Sequence, residues 1–376
     1  MKPLKHQIAK SQECYDILKS KGLVYLAGEV RSGKTLTAIL VAEKTIAKDI
    51  LVFTKKAAIE GWMKFSDNMV KNYHITNYEQ ASKLNKDDYD LIIVDEAHNL
   101  GTVGKPSNRV KDLRRLAYDK PVILMSGTPH AETKASLYHQ MCITKYSPFD
   151  QWKTFYRFFD VFGIIDTKWI AGRQLKEYKR TKPEIDIYLE DYWVTMTQAD
   201  AGIQVEQEEV VHYIELDAFT KDIYNTVLKD RVATINGEEV ICDSDMKLRV
   251  TLHQLEFSGA HIKFINESFS GKVALMAHFR DQQKLLELTF PEFDVFSSNK
   301  HKEGVDLSMY DHFVIVSNDY SGAGHLQRIQ RNVNVNNKST TKVHHLLVKN
   351  GISEQVYKAV SQKKDFNNSV FERKRI

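Results

Sequence analysis

The sequence has few cysteines, no long apolar runs and little net charge. The first two absences exclude disulfide-rich proteins and membrane-spanning proteins. Only three of the 376 residues are cysteine, far apart and without CxxC spacing. A disulfide framework or a cysteine zinc site is therefore not expected, whereas buried free thiols are. No run approaches the roughly 18 apolar residues of a membrane span, and the N-terminus lacks the apolar core of a signal peptide. These absences predict a cytoplasmic protein without a membrane partner.

The net charge is a mild +4, which permits nucleic-acid binding but does not establish it. A hydrophobic fraction of 42% and a charged fraction of 27% are those of an ordinary soluble globular protein. The length allows two domains of about 150 residues, each with a full core.

The most informative stretch is 28–35, which reads GEVRSGKT directly after the apolar run LVYLA. A strand, a glycine-bearing turn and a helix start in this order predict a phosphate-binding loop. Lys34 is placed to reach the β- and γ-phosphates, and Thr35 offers its hydroxyl to Mg²⁺. Gln7, upstream of the loop, can read adenine with its amide. The residues assigned to the nucleotide here are Gln7, Gly28, Arg31, Ser32, Gly33, Lys34 and Thr35.

Two further strand ends carry polar residues suited to phosphoryl transfer. The segment 89–98, YDLIIVDEAH, predicts a central parallel strand that ends in Asp95 and Glu96. Asp95 can hold Mg²⁺ through water, and Glu96 can orient and deprotonate the attacking water. The segment 121–129, PVILMSGTP, ends in the hydroxyls of Ser126 and Thr128, which could link the carboxylates to a moving part. Taken alone, both ends could be plain turns.

In this order and spacing, GEVRSGKT, DEAH and SGTP resemble the first RecA-like lobe of a superfamily 2 helicase or translocase. LKHQ at 4–7, ITNYE at 75–79 and SPFDQWKTFY at 147–156 resemble the Swi/Snf-type branch. The resemblance implies an α/β fold of two RecA-like P-loop NTPase lobes with ATP and Mg²⁺ between them. It also implies a coupling role for His98, Ser126, Thr128 and Gln327. The compact length is similar to that of a minimal or virus-encoded member, for which the compartment is the host cytoplasm.

The predicted organisation has three parts. Residues 1–148 form the first lobe, 149–270 a mainly helical insertion and linker, and 271–376 the second lobe with a closing helix. The insertion is crowded with aromatic residues and interleaved with basic ones. This composition is typical either of core packing, which we favour, or of base stacking combined with phosphate contact.

The second lobe carries two weaker motifs. EGVD at 303–306 resembles the family's G-x-D motif, which implies that Gly304 and Asp306 lie at the nucleotide. HLQRIQR at 325–331 resembles Q-x-x-G-R-x-x-R, with Gln327 as the motif glutamine and Gln330 in place of its glycine. Arg331 is then the predicted arginine finger. In the alternative register, Arg328 takes that role.

Candidate nucleic-acid contacts follow the second predicted strand. Lys55 and Lys56 stand at its C-terminal end. Contact with nucleic-acid phosphate and simple exposure to solvent explain these two lysines equally well. Trp62 and Tyr78 are assigned to the same surface. His344 and His345 alternate on a late strand, where we expect no carboxylate or cysteine nearby and therefore no metal.

The sequence therefore predicts a nucleic-acid-dependent ATPase, acting as a DNA helicase or a double-strand DNA translocase. The DNA could be single-stranded or duplex, and RNA is the lesser alternative. A second hypothesis is a nucleotide-gated module that binds DNA or a protein and has weak or no motor activity. The irregular motif after His325 keeps that hypothesis open. No motif identifies a protein partner.

Overall fold

A computed structural model describes residues 3–67, 69–130, 133–170, 173–202, 207–235, 237–298, 307, 309–329, 341–362, 366–367 and 370–376. The chain divides into two compact units, Met1–Gly202 and Ile203–Ile376. Each unit is built on its own parallel sheet with helices, so the predicted α/β class is confirmed. No helix among the described residues combines the length and apolarity needed to cross a membrane.

The first unit contains a six-stranded parallel sheet in the order β3-β2-β4-β5-β1-β8, and β6 and β7 form a separate antiparallel pair. Its elements are α1 (Lys5–Lys21), β1 (Leu23–Gly28), α2 (Lys34–Lys44), β2 (Asp49–Thr54), α3 (Ile59–Ser66), β3 (Asn72–Asn77), β4 (Leu91–Val94), α4 (Asn108–Ala117), β5 (Val122–Ser126), α5 (Leu137–Met141), α6 (Phe155–Phe162), β6 (Gly163–Ile170), β7 (Arg173–Thr181), α7 (Ile185–Glu190) and β8 (Trp193–Met196).

The central strands of this sheet are buried on both faces. Val24 and Val52 belong to one hydrophobic cluster, and their neighbours Tyr25 and Phe53 belong to another. Successive side chains of a strand point to opposite faces, so the two clusters lie on the two sides of the sheet. This two-sided burial explains why β1, β2, β4 and β5 read as continuous apolar runs.

The second unit contains a five-stranded parallel sheet in the order β13-β12-β14-β15-β9, and β10 and β11 form an antiparallel pair. Its elements are β9 (Gln207–Tyr213), α8 (Ala218–Asp230), β10 (Val232–Ile235), β11 (Glu238–Ile241), α9 (Asp245–Leu255), α10 (Gly259–Ser268), β12 (Val273–Ala277), α11 (Arg280–Thr289), β13 (Asp294–Ser297), β14 (His312–Ile315), α12 (Gly322–Ile329), β15 (Thr341–Leu347) and α13 (Ile352–Ser361).

The range 149–270 differs from the predicted helical insertion. It contributes β8 to the first sheet, where β8 pairs with β1, and β9 to the second sheet, where β9 pairs with β15. The boundary between compact units lies at 202 and 203, inside the predicted insertion. Both β8 and β9 stand at the end of their sheets' strand order. An edge strand has less apolar burial than a central one. β8 and β9 therefore lack the continuous apolar run from which the central strands are predicted.

The aromatic residues of this range serve mainly as core. Phe155, Phe158, Phe159 and Phe162 lie on the buried face of α6 and join the first unit's hydrophobic cluster. Trp152 packs edge-on against Phe162, with ring centroids 4.9 Å apart. The packing interpretation therefore explains these residues better than base stacking. The three cysteines are also buried with free thiols, as expected.

Candidate nucleotide-binding site

The segment after β1 has the backbone path of a phosphate-binding loop. The strand ends at Gly28 and α2 begins at Lys34, and the residues between include two left-handed conformations, at Arg31 (φ 64°) and Gly33 (φ 90°). The Nζ of Lys34 donates hydrogen bonds to the carbonyl oxygens of Gly28 (2.7 Å) and Glu29 (2.9 Å). Its ammonium group is therefore held at the loop, beside the positive N-terminal end of α2.

Two other assigned residues stabilise this loop, one inside it and one from α1. Ser32 is buried, and its hydroxyl donates to the carbonyl oxygen of Glu29 (2.8 Å). Gln7 of α1 accepts a hydrogen bond from the backbone N–H of Leu4 (2.8 Å) and donates one to the carbonyl oxygen of Gly33 (3.3 Å). The structure thus gives Gln7 a supporting contact with the loop. Its reading of adenine stays a prediction, as does the binding of Mg²⁺ by Thr35, which is half-buried in the first turn of α2.

Gly33 provides a direct test of this packing. A Cβ atom at Gly33 would lie 2.2 Å from Nε2 of Gln7, and its φ of +90° disfavours every side chain. We expect Gly33→Ala to lower the free energy of unfolding by at least about 1–2 kcal/mol and to weaken nucleotide binding, because Gln7 must move. Urea denaturation and fluorescent-nucleotide titration measure the two effects.

The matched control for this variant is Gly61→Ala in α3. A Cβ atom there meets nothing within 4 Å. Removal of a helical glycine should raise stability by about 0.5–1 kcal/mol without changing nucleotide affinity. If Gly33→Ala behaved like Gly61→Ala, the loop would not depend on this backbone conformation.

Asp95 lies directly after β4 in a buried hydrogen-bonding environment. Its Oδ2 accepts hydrogen bonds from the hydroxyl of Thr54 (2.8 Å) and the indole Nε1–H of Trp62 (2.9 Å). The hydroxyl of Tyr78 donates to the backbone carbonyl oxygen of Asp95. Thr54 at the end of β2 and Trp62 of α3 thus fix the carboxylate, while Tyr78, which follows β3, fixes the backbone of Asp95.

The two acidic side chains have opposite pKa shifts. Burial and the adjacent charge of Glu96 raise the pKa of Asp95 to about 6, although Trp62, Thr54 and Lys34 act to lower it. Burial also acts to raise the pKa of Glu96, but the hydrogen bond and charge of His98, together with Lys34 and Lys55, lower it overall. Adjacent carboxyl groups in a dry site cannot both ionise at ordinary pKa values, so their titrations separate.

Glu96 also has a strained backbone. Its φ is 52°, which is uncommon for a residue with a side chain and costs about 1–3 kcal/mol. Asn99 stabilises this conformation, because both its backbone N–H (3.0 Å) and its side-chain amide (2.7 Å) donate to the carbonyl oxygen of Glu96. Strain that the surroundings maintain is typical of functional positions.

A polar chain connects Glu96 to the turn after β5. Nδ1 of His98 lies 3.2 Å from Oε2 of Glu96 and 2.8 Å from the hydroxyl oxygen of Ser126. That same oxygen accepts a hydrogen bond from the backbone N–H of Thr128 (3.0 Å). The structure therefore brings together three of the residues predicted to couple nucleotide state to movement, whereas their coupling role stays a prediction.

A family model described as the SNF2-related domain matches residues 41–258, more than half of the chain. The chain belongs to the SNF2-related family. The predicted relation to the Swi/Snf-type branch is confirmed, and membership implies a RecA-like fold, ATPase activity with a divalent metal, and DNA as the usual nucleic acid. The match includes DEAH and SGTP but begins after the phosphate loop. The assignment of that loop is therefore supported by its backbone geometry and not by the family match. A comparison with curated proteins finds no match.

Two of the predicted nucleic-acid contacts of this SNF2-related chain are misplaced. Trp62 is only 2% exposed and Tyr78 only 5%, and both hydrogen-bond to Asp95 instead of facing solvent. Burial leaves neither ring a face for a base. Lys55 is half-buried after β2 and Lys56 is exposed in the following turn, so for these two the assignment stays a prediction.

The structure tests none of the five site residues predicted in the second unit. Gly304, Asp306 and Arg331 lie outside the described residues. Gln327 and Arg328 belong to α12, but the described part of the chain does not include their side chains.

The contact of Thr54 with Asp95 is the main feature that sequence reasoning missed. A usable signal was present, because Thr54 ends β2 and Asp95 follows β4, and these strands are neighbours in the sheet. The carboxyl ends of neighbouring parallel strands meet at one edge.

Proposed function

We propose that this SNF2-related protein is an ATP-dependent DNA helicase or double-strand DNA translocase. The observation that carries the proposal is the convergence of three loops at one edge of the first sheet. β4, β5 and β1 are consecutive in the strand order, and the DEAH, SGTP and phosphate loops follow their C-terminal ends. A Cβ atom at Gly127 of the SGTP turn would lie 3.5 Å from the carbonyl oxygen of Gly28 and 3.8 Å from Nζ of Lys34.

The residues at this edge fit a nucleoside triphosphate with Mg²⁺. Backbone N–H groups at the start of α2 and the ammonium of Lys34 are suited to phosphate oxygens. The hydroxyl of Thr35 and the carboxylate of Asp95 are the hard oxygen donors that would hold Mg²⁺. When bound, the metal would neutralise charge that develops on the phosphates. The charge of Lys34 acts on both Asp95 and Glu96, which supports their grouping in one site.

The protein's own contribution is positioning. Glu96 would orient the attacking water, and His98 would hold Glu96 while contacting Ser126. A change at the phosphates would then reach the SGTP turn through the two contacts of Nδ1 of His98. Because phosphoryl transfer depends on placement and charge neutralisation, this arrangement needs no covalent intermediate.

We further propose that the two compact units are the two RecA-like lobes of the motor. In this proposal Arg331, or Arg328 in the alternative register, provides the finger, Gly304 and Asp306 contact the nucleotide, and Gln327 has a coupling role. The substitution of Gln330 for the motif glycine is the sequence feature that favours the second hypothesis, a nucleotide-gated binding module with weak turnover.

Steady-state ATP turnover with no nucleic acid, single-stranded DNA, duplex DNA and RNA tests the proposed function. We expect DNA to stimulate turnover at least about tenfold, with RNA less effective, because DNA engagement should favour the catalytic arrangement. Turnover that no nucleic acid changes, at any salt concentration that permits binding, would contradict the motor and favour the gated module. A strand-displacement assay then separates helicase from translocase.

A further inference from the structure

A buried polar cluster in the second unit lies outside the nucleotide site. It consists of Glu209 on β9, His345 on β15 and His325 on α12. In the parallel pairing of β9 with β15, Glu209 is opposite Val343 and His345 is opposite Val211. Glu209 and His345 are therefore diagonal neighbours on one face of the sheet. The prediction that no carboxylate lies near His345 is thus wrong, because strand pairing supplies one from a distant part of the chain.

The three side chains converge on one point. Nε2 of His345 lies 2.8 Å from Oε2 of Glu209, and Nε2 of His325 lies 3.6 Å from the same oxygen. One ligand atom from each residue lies within 4.8 Å of the others. His345 is completely buried and His325 is 2% exposed. Glu209 is half-buried. A carboxylate partly removed from water beside two buried imidazoles favours a positive charge among them.

The orientation of His325 points to where that charge belongs. Its Nδ1 lies 3.2 Å from Oδ1 of Asn318, an oxygen that can only accept, so Nδ1 carries the hydrogen. In the neutral ring, Nε2 then presents a lone pair toward the Glu209 carboxylate. Within the described part of the chain, Nε2 of His325 has no hydrogen-bond partner. A histidine oriented through its other nitrogen by an amide or carbonyl oxygen is the usual arrangement of a metal ligand.

We propose that Glu209, His325 and His345 bind one divalent transition-metal ion of the zinc class. Imidazole nitrogens favour such ions, whereas Mg²⁺ and Ca²⁺ favour sites made of oxygen alone. Bonds of about 2.0–2.2 Å in tetrahedral geometry place ligand atoms roughly 3.3 Å apart. The observed distances of 2.8 and 3.6 Å fall on either side of that value.

Tyr357 of α13 completes the surroundings. Its hydroxyl donates to Oε2 of Glu209 over 3.3 Å, and its ring centroid lies 4.6 Å from that of His345. This contact would orient the carboxylate from outside the metal, as second partners do in protein metal sites.

The ion would have a structural role. It would link β9, α12 and β15, which are far apart in the chain, and so stabilise the second unit by closing long loops. It would also fix α12, the helix that carries Gln327 and Arg328. The proposal does not depend on the function proposed for the first unit.

The test uses the full-length protein, stripped of metal by a chelator and kept free of nucleotide. Titration with Zn²⁺ should show one equivalent bound and a rise in Tm. Co²⁺ should give visible d–d absorption bands of a nitrogen-ligated site. Glu209→Gln and His325→Gln should each weaken Zn²⁺ binding by more than about tenfold.

The matched control is His344→Gln. His344 adjoins His345 on β15 but faces the other side, where its Nδ1 lies 3.0 Å from Nε2 of His212. This variant should bind Zn²⁺ like the unchanged protein. Equal loss of binding in His344→Gln and His325→Gln would overturn the assignment. Failure of the unchanged protein to bind one equivalent of Co²⁺ or Zn²⁺ would also overturn it. The cluster would then be a buried ion pair with a protonated histidine. This outcome does not depend on whether the variants fold.

Discussion

Replacement of Glu96 with glutamine is expected to reduce ATP turnover by about 10²- to 10⁴-fold while nucleotide affinity changes little. Glutamine has nearly the same shape, so the strained φ of 52° and the two hydrogen bonds from Asn99 to the backbone carbonyl can persist. What is lost is the negative charge and one acceptor oxygen. Single-turnover and steady-state hydrolysis, with nucleotide affinity measured separately, distinguish loss of chemistry from loss of binding.

The lowered pKa of Glu96 defines its role more closely. The carboxylate stays charged through the whole neutral range, because His98, Lys34 and Lys55 outweigh the effect of burial. A group with so low a pKa is a poor proton acceptor near pH 7 and a good hydrogen-bond acceptor for water. In the proposed mechanism Glu96 would therefore act mainly by orienting the water, and the pH profile should have no limb from Glu96 near neutrality.

The control for Glu96→Gln is Glu60→Gln. Glu60 lies on the exposed surface of α3, where Lys64 is its ion-pair partner at 2.8 Å. Loss of one fully exposed pair has little effect on stability and should leave turnover unchanged. Unchanged turnover in Glu96→Gln would remove Glu96 from the proposed mechanism.

Sequence reasoning was most reliable where a single local pattern determined the structure. The loop at 28–35 and the strand ends at Asp95 and Ser126 each follow a buried apolar run, and the structure has strands at all three places. In such segments, apolar burial and turn chemistry indicate the same arrangement. The left-handed conformation at Gly33 is likewise what the glycine of the motif permits.

The failures share a different cause. Trp62 and Tyr78 are predicted at a binding surface but are buried, because nothing local indicates which way a helical or turn residue points. Glu209 has no partner in its own segment, since His345 reaches it only through parallel pairing across the second sheet. Contacts between distant segments require the strand order, which neither periodicity nor spacing specifies.

Truncation of Trp62 should cost a large part of the protein's stability. The side chain is 2% exposed and belongs to a hydrophobic cluster with Val52 and Ile93. Trp62→Ala is expected to lower the free energy of unfolding by about 3–5 kcal/mol, because it leaves a large cavity and removes a donor from buried Asp95. Denaturant unfolding measures this loss.

Trp62→Phe separates the indole N–H from the packing. A hydrogen bond to the charged form lowers a carboxyl pKa, so its loss should raise the pKa of Asp95 further above about 6. Because the folded-state pKa already exceeds the ordinary value of about 3.9, folding stability falls as pH rises between the two values. In Trp62→Phe this decline should extend to higher pH.

The same variant should shift the acidic limb of the pH profile of kcat/KM. If Asp95 holds Mg²⁺ as proposed, its ionised form is the one that binds, so kcat/KM should fall as pH drops through the pKa of Asp95. In Trp62→Phe that fall should begin at higher pH. Trp152→Phe is the control, because Trp152 packs against Phe162 in the first unit's other hydrophobic cluster. It should reduce stability without shifting the limb. Superimposable profiles for Trp62→Phe and the unchanged protein would show that the indole serves packing alone.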